Sequence, residues 1–291
     1  MHPFRYLAAH SIDEAVAALA QYGSRARAIA GGTDLLVQLR AGRYELDAVV
    51  DVKHVPELTA LTWKGGALTI GAAAPCFAVY EDEAIAGAFP GIIDGASIIG
   101  GIQVQSRASL GGNLCNAAPS GDAICPLIVH GAIAHIAGPK GKRTLPVGQV
   151  PTGPGRNALG EGEFLVAIEL PALAKGFGAA YQRFTPRNEM DIAVAGVASA
   201  VTLDGAGHIA SASIALASVG PTPIVAADAA ASLVGKAPSA ASFAEAGHIA
   251  AREARPITDM RGTEVQRRKL VSVLTRRTLE QAVARATGAN A

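Results

Sequence analysis

Two short segments rich in glycine are the places where this chain could bind an anion with its backbone. AIAGGTDLL at 28–36 is typical of a strand that enters a Gly-Gly turn and then a helix, with Thr33 as the helix cap. SLGGN at 109–113 offers a hydroxyl, two glycines and an amide. Backbone N–H groups at a helix start suit a phosphate, because the helix dipole adds partial positive charge there. Two such loops could hold a diphosphate between them. The alternative is a glycine-rich turn that only packs two domains together.

The residues around the second segment favour a ligand. Residues 95–121 include no acidic side chain, as expected where an anion lies, and Asp122 is a candidate acceptor for ribose or ribityl hydroxyl groups. The sequence has no GxGxxG for a nicotinamide cofactor and no GxxxxGK[ST] phosphate loop. Ser120 lies outside a GxSxG context. Because no nucleophile or acid–base group stands out, we expect the chemistry to belong to a cofactor.

Composition excludes several other classes of protein. The net charge is +1 and charged residues make up 17% of the chain, which argues against a nucleic-acid surface. No run of 18 apolar residues predicts a membrane span. Three cysteines and seven histidines lack metal-ligand spacing, so we expect no metal site. The first residues show neither a signal core nor a lipidation motif, and we therefore expect a cytoplasmic protein.

The pattern of elements predicts an α+β protein of two domains. Ser11 and Glu14 form the pattern of a capping box before a helix, and residues 76–89 have the pattern of one helix. Residues 132–147 predict a hairpin, and 151–160 predict a mobile loop. After Pro171 three antiparallel strands precede three helices, which places the domain boundary near 172–178.

Four segments in this order resemble the FAD-binding medium subunit of the molybdenum hydroxylases, the xanthine dehydrogenase and carbon monoxide dehydrogenase family. They are AGGTDLL, GGIQVQSRASLGGNLCNAAPSGD, AYQRFTPRNEMDIAVAGVA and TDMRGTEVQRRKLVSVLTRRTLEQA. The resemblance covers nearly the whole chain. It implies a two-part N-terminal FAD-binding domain of the vanillyl-alcohol-oxidase (PCMH) type at 1–175. It further implies a C-terminal domain at 176–291 with a three-stranded antiparallel sheet and three helices.

The resemblance also implies roles for individual residues. Residues 30–35 would wrap the diphosphate and the adjacent ribose, and Phe164 or Leu165 would lie against the flavin ring. Arg183 would lie near the pyrimidine edge of the flavin, where a cation stabilises negative charge on the reduced ring. Asp191–Ala193 would border the flavin face that an electron acceptor reaches. The implied FAD-binding residues are Ala30, Gly31, Gly32, Thr33, Asp34, Leu35, Gly100, Ser109, Gly111, Gly112, Asn113, Asp122, Leu165 and Arg183.

The function implied by the resemblance is that of an electron-transfer subunit without a catalytic side chain of its own. A large subunit would carry the molybdopterin cofactor and a small subunit the [2Fe–2S] clusters, in a dimer of heterotrimers, with NAD or another acceptor taking electrons from FAD. The dispersed cysteines cannot supply four thiolates, so we expect no cluster in this chain. Two alternatives stay open: a self-contained FAD oxidoreductase of the vanillyl-alcohol-oxidase type, and a flavin-free assembly or regulatory protein.

Overall fold

The N-terminal region begins with a small parallel sheet. The structure, a computed structural model, describes residues 2–288. The strand order is β1-β3-β2, so the carboxyl ends of all three strands meet at one edge. The middle strand, Ala-Val-Val-Asp, is buried along its whole length. The elements are β1 (Arg5–Ala8), α1 (Ile12–Tyr22), β2 (Ala26–Ile29), α2 (Leu35–Arg40), β3 (Ala48–Asp51) and α3 (Pro56–Thr59).

A five-stranded antiparallel sheet forms the second part of this region, in the order β4-β5-β10-β6-β7. Short helices between its strands cover a core of Leu, Ile and Val side chains. The strands are β4 (Leu61–Lys64), β5 (Ala67–Gly71), β6 (Ile133–Gly138), β7 (Gly141–Pro146) and β10 (Phe164–Leu170), with a separate hairpin of β8 (Pro151–Gly153) and β9 (Arg156–Asn157). The helices are α4 (Cys76–Tyr80), α5 (Glu83–Ala88), α6 (Pro90–Ala96), α7 (Ile102–Gln105), α8 (Leu110–Asn116) and α9 (Ile124–Val129).

The C-terminal region has three long antiparallel strands and a fourth of two residues, followed by helices. The α+β class with its two-part N-terminal region is confirmed, and the short fourth strand adds to the three that the sequence indicates. The predicted boundary at 175 lies between β10 and β11 and stays a prediction. The elements are β11 (Phe177–Phe184), β12 (Ala195–Leu203), β13 (Ile209–Ala217), β14 (Ile224–Val225), α10 (Ala227–Ala231), α11 (Ala240–Glu253) and α12 (Glu264–Ala286).

This last sheet is buried on both faces, and its two faces differ in side-chain size. Val197 and Val201 on β12 pack with α11 and α12. Ala198 and Ala200 alternate with them and face α9 of the N-terminal region. Strand side chains alternate between faces, so small residues on one face let the two regions approach closely. We call the surface between β11–β13 and helices α6 and α9 the domain contact.

Local signals in the sequence set most helix starts, with three corrections. Ser11 accepts a hydrogen bond from the Glu14 N–H, but the Glu14 carboxylate accepts from His10 N–H rather than closing the capping box on Ser11. Asp34, not Thr33, is the residue before α2, and no side chain caps that helix. Residues 76–89 form two helices, because Asp82 caps a second start at Glu83. None of the helices in the described residues is long and apolar enough to cross a membrane.

Candidate functional site

A cavity of about 710 Å³ lies between the two parts of the N-terminal region, within the usual size range of ligand pockets. One wall is the segment that leads from β2 into α2. A second wall is the start of α8. The third wall is the hairpin β8–β9 with the approach to β10. The cavity therefore brings together three segments that are far apart in the sequence.

The first wall is residues 30–34, which we call the first glycine loop. No hydrogen-bond partner for the backbone N–H groups of residues 31–34 occurs among the described residues. Glycine is required at two places. A Cβ on Gly31 would lie 1.7 Å from the carbonyl oxygen of Arg107, so the two backbones touch, and Gly32 has a φ of +75°. These residues are half-buried or exposed and lead into a helix start, where free N–H groups and the helix dipole suit an anion.

The second wall is residues 109–113, which we call the second glycine loop, although it folds as the start of α8. Ser109 caps the helix by accepting from Gly112 N–H at 3.0 Å. The N–H group of Gly111 has no partner in the described chain, as is usual for a helix start. Asn113 Oδ1 accepts from Ala123 N–H at 3.2 Å and so ties this loop to the start of α9.

The sequence does not indicate that the third wall belongs to a site. It predicts a mobile loop at 151–160, whereas residues 151–157 of this segment form the hairpin β8–β9. Asn157 Nδ2 donates to the carbonyl of Cys115 at 2.7 Å, which holds the hairpin against α8. Arg156 also lines the cavity. The polar turn PTGPGRN was the available signal, but a hairpin without apolar alternation cannot be distinguished from a loop by pattern alone.

Basic and aromatic side chains line the cavity together with the acidic Asp34, Glu161 and Glu163. The guanidinium groups of Arg27 and Arg43 lie over the ring of Tyr44, 5.3 and 5.5 Å from its centroid. Arg27 and Tyr44 line the cavity, and so does Gln38, whose amide donates to Asn116 at 2.8 Å. These groups provide positive charge and donors around a ligand that carries phosphate.

Burial raises the pKa of two ionisable side chains in the walls of the cavity. Burial raises the pKa of the Asp34 carboxyl above its usual value, and no basic side chain pairs with it among the described ion pairs. Burial also raises the pKa of the Cys115 thiol to about 12, so this cysteine stays a neutral thiol at pH 7. Asp34 can therefore accept hydrogen bonds from ligand hydroxyl groups, and Cys115 contributes only a neutral apolar surface.

Most predicted site residues meet at this cavity. Phe164 and Leu165 both line it, which leaves the choice between them open. Gly100, Asp122 and Arg183 do not line it. The predicted residues in the walls are Ala30, Gly31, Gly32, Thr33, Asp34, Leu35, Ser109, Gly111, Gly112, Asn113 and Leu165.

Asp122 and Arg183 form a buried ion pair in the domain contact. Arg183 donates to one carboxylate oxygen of Asp122, and Tyr181 donates its hydroxyl hydrogen to the other at 2.8 Å. Burial raises the pKa of Asp122 to about 6, although Arg183 and Tyr181 act in the opposite direction. The flavin and ribityl contacts assigned to these two residues, and the assignment of Gly100, stay predictions.

The loop after β11, residues 185–194, lies next to this ion pair in the sequence and is held by its own contacts. The Arg187 guanidinium donates to the carbonyl of Met190, and the Asp191 carboxylate accepts from Arg187 N–H. Met190 and Ile192 are exposed. The role of residues 191–193 as the border of an acceptor site stays a prediction.

Comparison with known proteins gives matches along the whole chain. Residues 2–173 match the family model described as the FAD binding domain in molybdopterin dehydrogenase, and residues 179–282 match the CO dehydrogenase flavoprotein C-terminal domain. The xanthine dehydrogenase FAD-binding subunit of Escherichia coli O157:H7 is 30% identical over 285 residues, which are 97% of each chain. The carbon monoxide dehydrogenase medium chain of Afipia carboxidovorans is 31% identical over 283 residues, 97% of this chain and 98% of that one.

Solved structures are also similar. The carbon monoxide dehydrogenase from Hydrogenophaga pseudoflava that lacks the Mo-pyranopterin moiety of the molybdenum cofactor has a TM-score of 0.93 at 31% identity, covering 98% of this chain and 99% of that chain. Quinoline 2-oxidoreductase from Pseudomonas putida 86 has a TM-score of 0.90 at 29% identity, covering 99% of each chain.

Proposed function

We propose that this chain, which belongs to the family of FAD-binding medium subunits of the molybdenum hydroxylases, is the FAD-carrying electron-transfer subunit of such an enzyme. In this role the subunit takes electrons from the [2Fe–2S] clusters of a small partner subunit and passes them to NAD⁺ or another acceptor. The substrate is oxidised at the molybdopterin cofactor of a large partner subunit. We further propose a dimer of heterotrimers in the cytoplasm.

The observation that carries the proposal is the row of backbone N–H groups at residues 31–34, which have no partner in the described chain and line the same cavity as the start of α8. A diphosphate supplies the acceptors that both loops lack. Asp34 would accept from a ribose hydroxyl, and the cavity size and the arginines that line it suit a dinucleotide. The residues present therefore fit FAD.

The division of labour between cofactor and protein follows from these residues. FAD, when bound, supplies both one-electron and two-electron chemistry. The first and second glycine loops bind the diphosphate and fix its position, and the hairpin β8–β9 closes the third side of the cavity. No side chain of the chain is assigned a proton transfer, so the protein's contribution is binding, orientation and exclusion of water.

The partner subunits and the acceptor are part of the proposal. The similar proteins are named as a medium chain and as an FAD-binding subunit, which are names of components of larger enzymes. The self-contained oxidoreductase is not favoured, since these relatives match along almost their whole length and are named as subunits. A flavin-free protein is also not favoured, because it would have no use for the open donors of both loops.

The test is an absorption spectrum of the purified full chain, followed by titration with FAD if the protein is colourless. We expect flavin bands at one FAD per chain and no flavin reduction by small organic substrates with this chain alone. Reduction by such a substrate would instead support the self-contained oxidoreductase. Failure to bind FAD, both alone and with the partner subunits, would refute the proposal.

A further inference from the structure

A lysine that does not line the cavity donates a hydrogen bond to a backbone carbonyl of the first glycine loop. Lys53 Nζ donates to the carbonyl oxygen of Ala30 at 3.0 Å and to Asp51 Oδ1 at 2.6 Å. Strands β2 and β3 are parallel neighbours with Ile29 beside Asp51, so Ala30 and Lys53 both follow the carboxyl edge of the sheet. Lys53 is half-buried and does not line the cavity.

The lysine is itself fixed by a buried carboxylate. Asp51 is only 2% exposed, and it accepts from both Nζ and the backbone N–H of Lys53. Its other oxygen accepts from the hydroxyl of Tyr6 on β1. Burial alone would raise the pKa of Asp51, but the bonds from Lys53 and Tyr6 outweigh it and hold that pKa below its usual value. The ammonium group therefore has a charged partner at a defined place.

The bond to Ala30 has a consequence for the next residue. The carbonyl of Ala30 and the N–H of Gly31 belong to one peptide plane, and in a trans peptide they point in opposite directions. No cis peptide occurs between residues 2 and 288. Lys53 holds the oxygen on the sheet side, so the Gly31 N–H is directed away from the sheet, and it is the first of the donors at residues 31–34 that lack a partner.

We propose that Lys53 is a positioning residue for the cofactor site: by binding the Ala30 carbonyl, it orients the first glycine loop so that its N–H groups face a diphosphate. This inference rests on the proposed function for the identity of the ligand. Because Asp51 neutralises the ammonium group, Lys53 acts by orientation rather than by attracting the diphosphate over a distance.

The experiment compares the full-length chain with Lys53→Met, with Lys53→Arg, and with Lys64→Met as a control at an exposed lysine on β4. We expect Lys53→Met to weaken both FAD and ADP about tenfold, because both carry the diphosphate. Lys53→Arg keeps a cationic donor and should restore most of the affinity. The loss should be the same at about 50 mM and 500 mM salt, since it does not come from screened long-range charge.

A second readout needs no cofactor. Hydrogen–deuterium exchange at the N–H groups of Leu36 and Gln38, which donate to the carbonyls of Gly32 and Asp34 in the first glycine loop, should be faster in Lys53→Met than in wild type or Lys64→Met. Unchanged exchange and unchanged affinity, or an affinity loss that disappears at high salt, would overturn the role of Lys53. If the wild-type chain binds no FAD, either alone or with the partner subunits, the proposed function fails, whereas the exchange measurement still decides whether Lys53 orients the loop.

Discussion

The cavity and the domain contact use polar groups in opposite ways. In the cavity, the N–H groups of residues 31–34 have no partner in the described chain, and Asp34 has no cation beside it. In the domain contact, charged groups from both sides are paired directly. Arg285 donates twice to Asp94, at 2.6 and 2.9 Å, and again to the carbonyl of Ala179. Donors without a protein partner are expected where a ligand supplies the acceptor, whereas paired donors and acceptors are expected where two parts of the protein pack together.

Small residues also serve different purposes in the two regions. Gly31 allows two backbones to touch, because any side chain would overlap the carbonyl of Arg107. At the domain contact, Ala198 and Ala200 keep a Cβ and pack against α9, where a larger side chain would separate the domains. Glycine therefore shapes the ligand site, whereas the domain contact combines these alanines with Gly91 of α6, whose added Cβ would meet the backbone of Ala179 at 3.1 Å. The predictions below test this difference, in order of decreasing expected effect.

The largest effect should follow Gly112→Val. A Cβ at Gly112 meets only Ser109 Oγ, at 3.1 Å, so the side chain can extend beside the cavity without backbone overlap. We expect FAD affinity to fall by roughly 100-fold or more, which is about 2.7 kcal/mol. The measurement is a fluorescence titration of the full chain with FAD.

Gly87→Val is the matched control, since Gly87 is an exposed helical glycine with no atom within 4 Å of its added Cβ. It should bind FAD like the wild type. Equal FAD affinity of Gly112→Val and Gly87→Val would mean that the second glycine loop does not contact the ligand.

Arg285→Met should destabilise the folded chain instead of emptying the cavity. It leaves Asp94 in the domain contact with only the N–H of Tyr181 as a partner. Removing one member of a fully buried pair costs about 3 kcal/mol. Because the side chains of Arg285 and Asp94 are 14% and 19% exposed, we expect a smaller loss, about 2.5 kcal/mol, in the free energy of unfolding measured with denaturant.

Arg276→Met on the same helix is the control, because Arg276 and Glu280 are exposed and lie 4.0 Å apart. A stability loss as small as that of the control would show that the pair of Asp94 and Arg285 does not hold the domains together.

His130 should make stability depend on pH. Its ring lies between Phe89 and Phe177, its Nδ1 is 2.7 Å from the carbonyl of Pro126, and burial lowers its pKa to about 4. The unfolded chain takes up this proton near pH 6.5, while the folded chain remains neutral until about pH 4. Stability is therefore fully present above pH 6.5 and is lost as the pH falls toward 4, by about 2 kcal/mol between pH 6.5 and 5.

The check is the slope of unfolding free energy against pH in wild type and His130→Gln. His130→Gln should not show the loss of unfolding free energy between pH 6.5 and 5. His248→Gln, at an exposed position on α11, should still show it. Parallel slopes for wild type and His130→Gln would contradict a neutral buried histidine in the domain contact.

Tyr181→Phe should have the smallest effect. It removes one hydrogen bond to Asp122 and leaves the bond from Arg183 in place. A hydrogen bond to a charged group contributes about 1.5 kcal/mol to stability, and thermal or denaturant unfolding would measure the change. A loss as large as that of Arg285→Met would mean that the hydroxyl, rather than the ion pair, stabilises Asp122.

Local patterns were sufficient for much of the fold and for two walls of the site. Ser11 begins its helix, Pro171 ends its strand, and the turn at 204–207 separates two long strands, because each signal acts within a few residues. The glycine loops could be recognised in the same way, since glycine and Ser109 act on their own backbone. The hairpin at 151–157 was missed because its strands pair only where other segments cover them.

The sequence by itself determined which backbone segments could approach a ligand, because that property comes from the residue types present in each segment. Only the tertiary structure decided which polar groups stay open for the ligand. Asp122 meets Arg183 across 61 residues and Arg285 meets Asp94 across 191, whereas Lys53 reaches back 23 residues to the first glycine loop. A charged side chain gains its partner through the packing of sheets and helices. No local pattern in the sequence shows which residue, tens or hundreds of positions away, that partner will be.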